Sequence, residues 1–507
     1  MFDPASVLRY GWQGNLLAVL VGGLITFSLA PFNLWPLALL ATALCYLLLQ
    51  ALTPRQAALR GWLFGFGLFA SGVSWVYVSI HDYGSAPPLL AGTLTLIFVA
   101  GLALFLAAFA WCWARFVRQA QHNLSNALVF AALWVATEFF RGWFLTGFPW
   151  LYIGYSQLDG PLAGLAPVGG VWLISFALAL SSALLANLLA CKQARRQWPV
   201  YAGLLIPAWI ITASLQLVHW TYTAGEPLTV AAVQGNIEQS MKWDPSQVSN
   251  QLILYQQLSL TAPQVDLLVW PENAIPVLQT SATDFLNHLD TFAQQRQSAL
   301  ITGIPMRHLN SEGQARFYNG ITTLGDASGE YLKQKLVPFG EYVPLQDMLR
   351  GVIELFNLPM SDFARGPSNQ PAIIAKGQRI APYICYEVVY PEFARKLAAH
   401  SEILLTISND TWFGTSIGPL QHLQMAQMRA LEAGRWMIRA TNNGVTAIIN
   451  PHGRIEKQIP QFEQAVLIGE VRPMQGLTPY LRVGSWPLAF ICVLLLGLGI
   501  RKRQHCT

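Results

Sequence analysis

Charge is what this chain has least of. Only 11% of its 507 residues are Asp, Glu, Lys or Arg, where an ordinary soluble domain carries about 25%. So little charge excludes a wholly water-facing surface. With 53% hydrophobic residues and a mean hydropathy of +0.38, the chain reads as an integral membrane protein. The net charge of +5 is modest. Its basic residues cluster at the ends of apolar segments, a membrane-topology pattern that gives no groove for nucleic acid. Metal patterns are missing as well. There is no C-x-x-C and no H-E-x-x-H, so neither metal nor cofactor is expected. Cysteine is scarce, at six residues. Cys45, Cys112, Cys191 and Cys492 lie in or beside long apolar runs, and Cys506 lies in the basic tail. Cys385 is left alone in the polar half, with no obvious disulfide partner there. Solenoid repeats and low-complexity linkers are absent too.

What is present is a series of long apolar runs. A spanning helix needs about 20 mostly apolar residues. Eight candidates lie near 14–31, 35–52, 60–80, 88–114, 124–140, 162–190, 199–218 and 484–500. The first lacks a small-residue cleavage site and is followed at once by another, so it reads as a span rather than a signal peptide. With eight spans, Arg55 and Arg60, Arg115 and Arg118, Lys192, Arg195 and Arg196, and Arg501, Lys502 and Arg503 all fall on one side. The positive-inside rule makes that side the cytoplasm. The opposite connections, Phe32–Leu34, His81–Gly84 and Arg141–Gly160, are poor in Lys and Arg. The expected organisation is therefore residues 1–219 with seven spans, an outward domain at 220–480, and 481–507 with the last span and a basic cytoplasmic tail. In a bacterium the outward side of the inner membrane is the periplasm, an oxidising compartment where an unpaired Cys385 is harder to explain as filler. Glu138 falls inside a span, where a carboxylate is costly. Its place near the outer end suggests snorkelling to the interface.

The insert at 220–480 alternates short β-like runs with helical ones. Strands are expected at Thr229–Gln234, Leu267–Trp270, Leu300–Gly303, Ile321–Leu324, Arg379–Ile384, Ile403–Ser408 and Val445–Ile449. Helices are expected at Ser246–Leu260, Asp284–Gln297, Pro391–Ala399 and Pro419–Ala433. Apolar strands bounded by helices suggest sheets packed face to face and covered by helices, an α/β sandwich of αββα type.

Polar residues sit at the ends of these strands. Glu272 follows Leu267–Pro271, Lys333 lies in Tyr331–Glu341, Cys385 ends the run Ile380–Ile384, and Asn409 and Asp410 follow Ile403–Ser408. Sites in α/β sheets form at such ends. Acyl transfer needs a thiolate, a group to take its proton, and positive charge at the oxyanion. Cys385, Glu272 and Lys333 can supply the three. Each also has a plainer reading. A lone cysteine is more often an inert core thiol, Glu272 could be a helix N-terminal carboxylate, and Lys333 could be a solvated edge charge. Lys335, two residues on, would share a face with Lys333 in an extended strand. His81 and His422 have no partners at metal spacing, and no role is assigned to them.

Glu, Lys and Cys in this order resemble the triad of the carbon–nitrogen hydrolase (nitrilase) superfamily. Further motifs narrow the resemblance. They are Val233–Asn236 with Lys242-Trp-Asp-Pro245, Trp270-Pro-Glu-Asn273, Leu336–Pro344, Cys385-Tyr-Glu387, Ser408–Gly414 and Thr441–Gly444. Together with eight spans around an outward insert they resemble the apolipoprotein N-acyltransferase family, over nearly the whole chain. The resemblance implies a nitrilase-like domain with Glu272 as general base, Lys333 rather than Lys335 as oxyanion stabiliser, and Cys385 as nucleophile. It implies supporting or substrate-binding roles for Trp243, Glu341, Tyr386 and Glu387. For Glu341 an ion pair is the plainer reading and for Glu387 a helix cap; for Trp243 and Trp412 packing is the plainer reading and contact with substrate lipid the alternative. It further implies transfer of a fatty acyl chain from a phospholipid, usually phosphatidylethanolamine, through a cysteine thioester. The acceptor is the N-terminal amine of a diacylated apolipoprotein, the protein acts as a monomer in the bilayer, and no cofactor is needed. The rivals are a membrane-bound amidase that hydrolyses a small amide, and a transporter or lipid-binding scaffold. The latter lacks support, because the spans show neither paired central charges nor matched broken helices.

Overall fold

The computed structural model describes residues 11–118, 124–190, 198–309, 313–338, 340–342 and 363–504. Cys191, Lys192, Arg195, Arg196, Phe339, Val343, Pro344 and Cys506, named above, lie outside them, as does the side chain of Arg503.

Proline and capping residues start the apolar helices. Pro36, Pro54 and Pro88 each occupy the first helical position, where a missing N–H loses nothing. Thr53 and Gln56 close a capping box before Pro54–Gly72. Where helices lie closest, glycine makes room. A Cβ on Gly22 would fall 1.9 Å from the Phe64 carbonyl oxygen, and one on Gly61 would fall 2.3 Å from that of Leu106. Such small-residue contacts let membrane helices pack backbone to backbone.

Among the described residues, four helical stretches are long and apolar enough to cross a bilayer: Pro88–Val117, Leu124–Thr146, Pro161–Leu189 and Pro199–Leu217. The third expected span is a broken pair, Pro54–Gly72 and Trp75–Tyr83, bent by 55°. The first two expected spans are shorter than the apolar runs that contain them. Trp12–Phe27 has 16 residues and Pro36–Leu48 has 13, and at 1.5 Å per residue both fall short of a bilayer core of about 30 Å. Ser28 caps the first, and Pro31 follows shortly. The final helix, Trp486–Gln504, packs on Leu124–Trp143.

Among the described residues, two large sheets form the insert. One has six strands in the order Ala465–Val471, Leu228–Gln234, Leu267–Val269, Ala299–Leu309, Ala315–Gly325 and Tyr331–Leu332. The other has seven, in the order Ile455–Ile459, Thr446–Ile449, Met437–Thr441, Ile403–Ser408, Gln378–Ile384, Ile373–Ala375 and Ala327–Ser328. The period-2 alternation of a strand sorts their side chains. Ile403, Leu405 and Ile407 join Val230, Val269 and Ile301 between the sheets. Leu404, Ala381 and Tyr383 point the other way, into the core shared with the membrane helices. Helices Val248–Thr261 and Thr283–Gln295 cover the first sheet, with Tyr255, Leu286 and Leu289 packed in. The result is an αββα sandwich whose second helical layer, Pro391–Ala398 and Gly418–Ala433, continues into the membrane bundle. Tyr222–Thr223 pairs with Met474–Gln475, which brings the two ends of the insert together at one exit point.

Candidate active site

Cys385 stands where the Gln378–Ile384 strand turns into a 3-10 turn, Cys385–Val389. Its φ is +51°, a left-handed backbone that a non-glycine residue adopts at a cost. Glu387 holds that turn. Its carboxylate accepts from the backbone N–H of Ile384 at 2.8 Å, and across to the lysine segment from those of Gln334 at 2.6 Å and Lys335 at 3.1 Å. The Tyr331 hydroxyl donates to it at 2.9 Å. Burial raises the Glu387 carboxyl to about 7, with the N–H groups of Ile384 and Gln334 pulling the other way.

Glu272 lies on the turn after Leu267–Val269, just before Asn273 with φ +47°. One carboxylate oxygen accepts from Lys333 Nζ at 3.2 Å and Asn319 Nδ2 at 2.7 Å, and the other from the Asn409 backbone N–H at 2.8 Å. Lys333 is 1% exposed, so it is no surface charge. Its ammonium also donates to Glu341 at 2.8 Å, and Asn319 bridges the two carboxylates by donating to Glu341 at 3.0 Å. Burial works to lower the Lys333 pKa, but Glu272 and Glu341 outweigh it and raise the group above the ordinary lysine range. Lys335 lies elsewhere, 5.1 Å over the Tyr390 ring. Burial and the charge of Glu272 push the Cys385 thiol up, against the opposing pull of Lys333. A thiol so held is protonated at rest, so its proton must leave as it attacks.

Sequence profiles of two families match the chain. Residues 21–184 match the apolipoprotein N-acyltransferase N-terminal domain, and residues 229–478 match the carbon–nitrogen hydrolase family. Over 502 residues the chain is 62% identical to the apolipoprotein N-acyltransferase of Azotobacter vinelandii, covering 98% of this chain and 97% of that one. The chain belongs to the apolipoprotein N-acyltransferase family. The Vibrio vulnificus relative of the same name is 43% identical over 516 residues, covering 98% of this chain and 99% of the relative. The protein is thus an acyltransferase of the carbon–nitrogen hydrolase superfamily, with a nitrilase-like sandwich and apolar helices that make it an integral membrane protein.

In this N-acyltransferase the remaining expected residues spread around the triad. Trp243 is half-buried, with an indole N–H that has no partner among the described residues. Trp412 turns toward the bent helix pair. Its carbonyl accepts from Ser79 at 2.7 Å and its ring meets Tyr83. Tyr386 lies nearly parallel to Trp150, and its hydroxyl donates to the Gly147 carbonyl at 3.4 Å. Tyr390 donates to the carbonyls of Thr146 and Gly147 at 3.1 and 3.2 Å. The site is therefore tied to the loop that follows Leu124–Trp143. Glu138 does not snorkel. It is buried and accepts from Trp134 Nε1 and the Ile153 N–H, both at 3.1 Å, which fixes the far end of that loop.

His422, given no role from sequence, sits directly behind the nucleophile. Its Nε2 is 3.1 Å from the Cys385 carbonyl oxygen, which can only accept, so that nitrogen carries the hydrogen. Its Nδ1 faces Asp410 at 3.1 Å, and Asp410 pairs with Arg439 at 2.5 Å. Burial alone would raise the Asp410 carboxyl, but Arg439 and His422 hold it below the usual range. A readable signal existed. Arg439 stands inside the apolar run Met437–Thr441, and an arginine there demands a buried acid.

Proposed function

We propose that this N-acyltransferase moves a fatty acyl chain from a phospholipid to the N-terminal amine of a diacylglyceryl-cysteine on an apolipoprotein, by way of a thioester on Cys385. The carrying observation is the Lys333 ammonium, buried and bonded to both Glu272 and Glu341. Glu272 takes the thiol proton as sulfur attacks the ester carbonyl. Lys333 stabilises the oxyanion, and Glu341 and Asn319 hold Lys333 and Glu272 in register. On collapse the ester C–O bond breaks, Glu272 returns the proton to the leaving alkoxide, and a lysophospholipid departs. The acceptor amine then attacks the thioester, Glu272 takes up its proton, and the amide product leaves Cys385 for the next cycle. Glu387 and Tyr386 shape the turn that presents the nucleophile, while Trp243 and Trp412 are candidates for contact with lipid.

The preferred donor in this reading is phosphatidylethanolamine, and the acting unit is a monomer. Residues 1–219 and 481–507 supply eight passes through the bacterial inner membrane, with the short helices Trp12–Phe27 and Pro36–Leu48 among them, and 220–480 faces the periplasm. The basic loops argue for that orientation. Both substrates are lipid-anchored, which accounts for a hydrolase-like domain fused to a membrane bundle.

Intact mass spectrometry after exposure to phospholipid alone tests the reading. An adduct of one acyl chain on Cys385, absent from Cys385→Ala, is expected, and a folded wild-type protein that takes up no chain overturns it. Adding a diacylated lipopeptide separates the rival. A triacylated amide supports the transferase, and fatty acid released to water supports an amidase.

A further inference from the structure

Beside the triad lies a second buried lysine. Lys242 ends the short helix Gln239–Lys242 and is 2% exposed. Its Nζ donates to the backbone carbonyl of Glu272 at 2.8 Å, and among the described residues no carboxylate pairs with it. A buried ammonium with one neutral acceptor is an expensive arrangement that needs a reason. Hydrogen bonds from other segments hold the surrounding stretch. Gln251 donates to the carbonyls of Met241 and Lys242 at 2.7 and 3.3 Å. Asn409, whose N–H binds the Glu272 carboxylate, also donates to Gln239 at 3.0 Å. Asn442 donates to the Ile237 carbonyl at 2.7 Å. Lys242 is therefore placed by several loops of the sandwich at once.

Charge supplies the reason. Among the described residues, Glu272 and Glu341 share one bonded cation, Lys333. Asp410 has Arg439, and Glu387 has Lys335 nearby. Without Lys242 the two carboxylates leave an uncompensated negative charge beside the thiol, and forming a thiolate there is opposed. With Lys242 the shell is neutral before the proton moves and neutral after it moves, when Glu272 is protonated and sulfur carries the negative charge.

We infer that Lys242 is a charge-balancing positioning residue, whose ammonium pins the Glu272 main chain and stabilises the Cys385 thiolate without touching substrate. This rests on the thioester reading above. Only a proton moves in the step, from Sγ to the Glu272 carboxylate. Burial lowers Lys242 to about 8, and Glu272 and Cys385 oppose that fall. The ammonium therefore prevails at neutral pH and is lost above about 8. Glu272 and Cys385 act on it directly, and Lys333, Glu341 and Asp410 are the next charged groups around the thiol.

The test reads Cys385 itself. Full-length protein in detergent is alkylated with iodoacetamide between pH 6 and 10, and modification of Cys385 is followed by peptide mass spectrometry. Below pH 8, where Lys242 is charged in the wild type, Lys242→Met and Lys242→Gln should slow alkylation of Cys385 by about ten- to a thousand-fold, the gap to wild type should close above pH 8, and Lys242→Arg should restore most of the rate. Lys242→Gln keeps a donor for the Glu272 carbonyl but no charge. A wild-type curve in Lys242→Gln overturns the inference, because the pin alone then suffices. Should Lys242→Met fail to fold, the Arg and Gln variants decide by themselves. If wild-type Cys385 takes no acyl chain from phospholipid, the proposed function falls. If it does, and the Gln variant titrates like wild type, only this inference falls.

Discussion

Glu387 joins the two halves of the site through one carboxylate, taking N–H groups from the cysteine strand and from the segment after Lys333. Several donors on one carboxylate require the ionised form, because a proton on either oxygen displaces one of them. Burial places that titration near 7, so acyl transfer should fall as pH drops through about 7 toward 5. Stability should not follow. The folded pKa lies above the ordinary carboxylate value, so the native state binds this proton more readily than the unfolded chain. The contribution of Glu387 to stability is complete below about 4.5 and shrinks as pH rises through 7. Acylation rates and melting curves measured over the same pH range check both signs, and parallel losses would contradict them. His422 makes a second prediction at this scale. Exchanging it for Phe strands the Cys385 carbonyl, at about 1–3 kcal/mol for a buried unpaired acceptor, and should slow thioester formation. Gln can place an N–H near the lost Nε2 and should recover part of the rate. Removing Arg439 is harsher. It leaves Asp410 buried without its cation, and Arg439→Met should lower unfolding stability by about 3–5 kcal/mol.

Among the elements, the loop Phe144–Tyr152 carries the most strain. Leu145, Thr146 and Leu151 all have positive φ, as does Gly147. Its carbonyls receive the hydroxyls of Tyr386 and Tyr390, and the Thr146 hydroxyl receives that of Tyr342 at 2.8 Å. The loop thus registers the catalytic turn against the membrane helices. Replacing Tyr386 and Tyr390 together by Phe removes that registration at about 0.5–1.5 kcal/mol per hydrogen bond. Acylation from vesicle phospholipid should suffer more than alkylation of Cys385 by a small reagent, and the ratio of the two rates is the readout. Little of this loop was legible in the sequence. Ile403–Ser408 was readable to the residue because a continuous apolar run buried on both faces has few alternatives. The edge strands Ile455–Ile459 and Ala465–Val471 were missed, since Glu456, Lys457 and Gln458 are exposed and mix polar with apolar positions. The breaks at Val73 and at Gly169-Gly170 were missed because hydropathy is blind to backbone angles. Glu272 and Cys385 were nameable because each follows an apolar run, whereas Lys333 was nameable almost wholly through the family resemblance, since only Tyr331 and Leu332 precede it. Lys242 was not, because what it touches is a backbone carbonyl, which leaves no letter in a sequence, and for His422 the one signal was indirect, the arginine inside Met437–Thr441 that demands Asp410.

Across the whole molecule one apolar core runs without interruption from the membrane helices into the outer face of the seven-stranded sheet. Trp150 stands at the seam. Its ring is 5.1 Å from Trp75, 6.1 Å from Phe413, 6.5 Å from Tyr386 and 6.0 Å from His422. Its indole N–H donates to Gln421 at 2.6 Å, and its carbonyl accepts from Arg141. Two parts that share a core cannot open independently, since separating them exposes the apolar surface of both. Trp150→Ala removes a fully buried indole at this seam, and a loss of about 3–5 kcal/mol follows from cavity formation of that size. The loss should appear in both parts at once. Followed by protease cleavage in the sandwich and by alkylation of Cys45, buried among the membrane helices, the variant should show one displaced transition common to both probes. Two transitions, with the sandwich keeping its wild-type midpoint, would mean that the seam is a contact between separate units. The tyrosine hydroxyls would then be the main tie between the thiol and the bilayer.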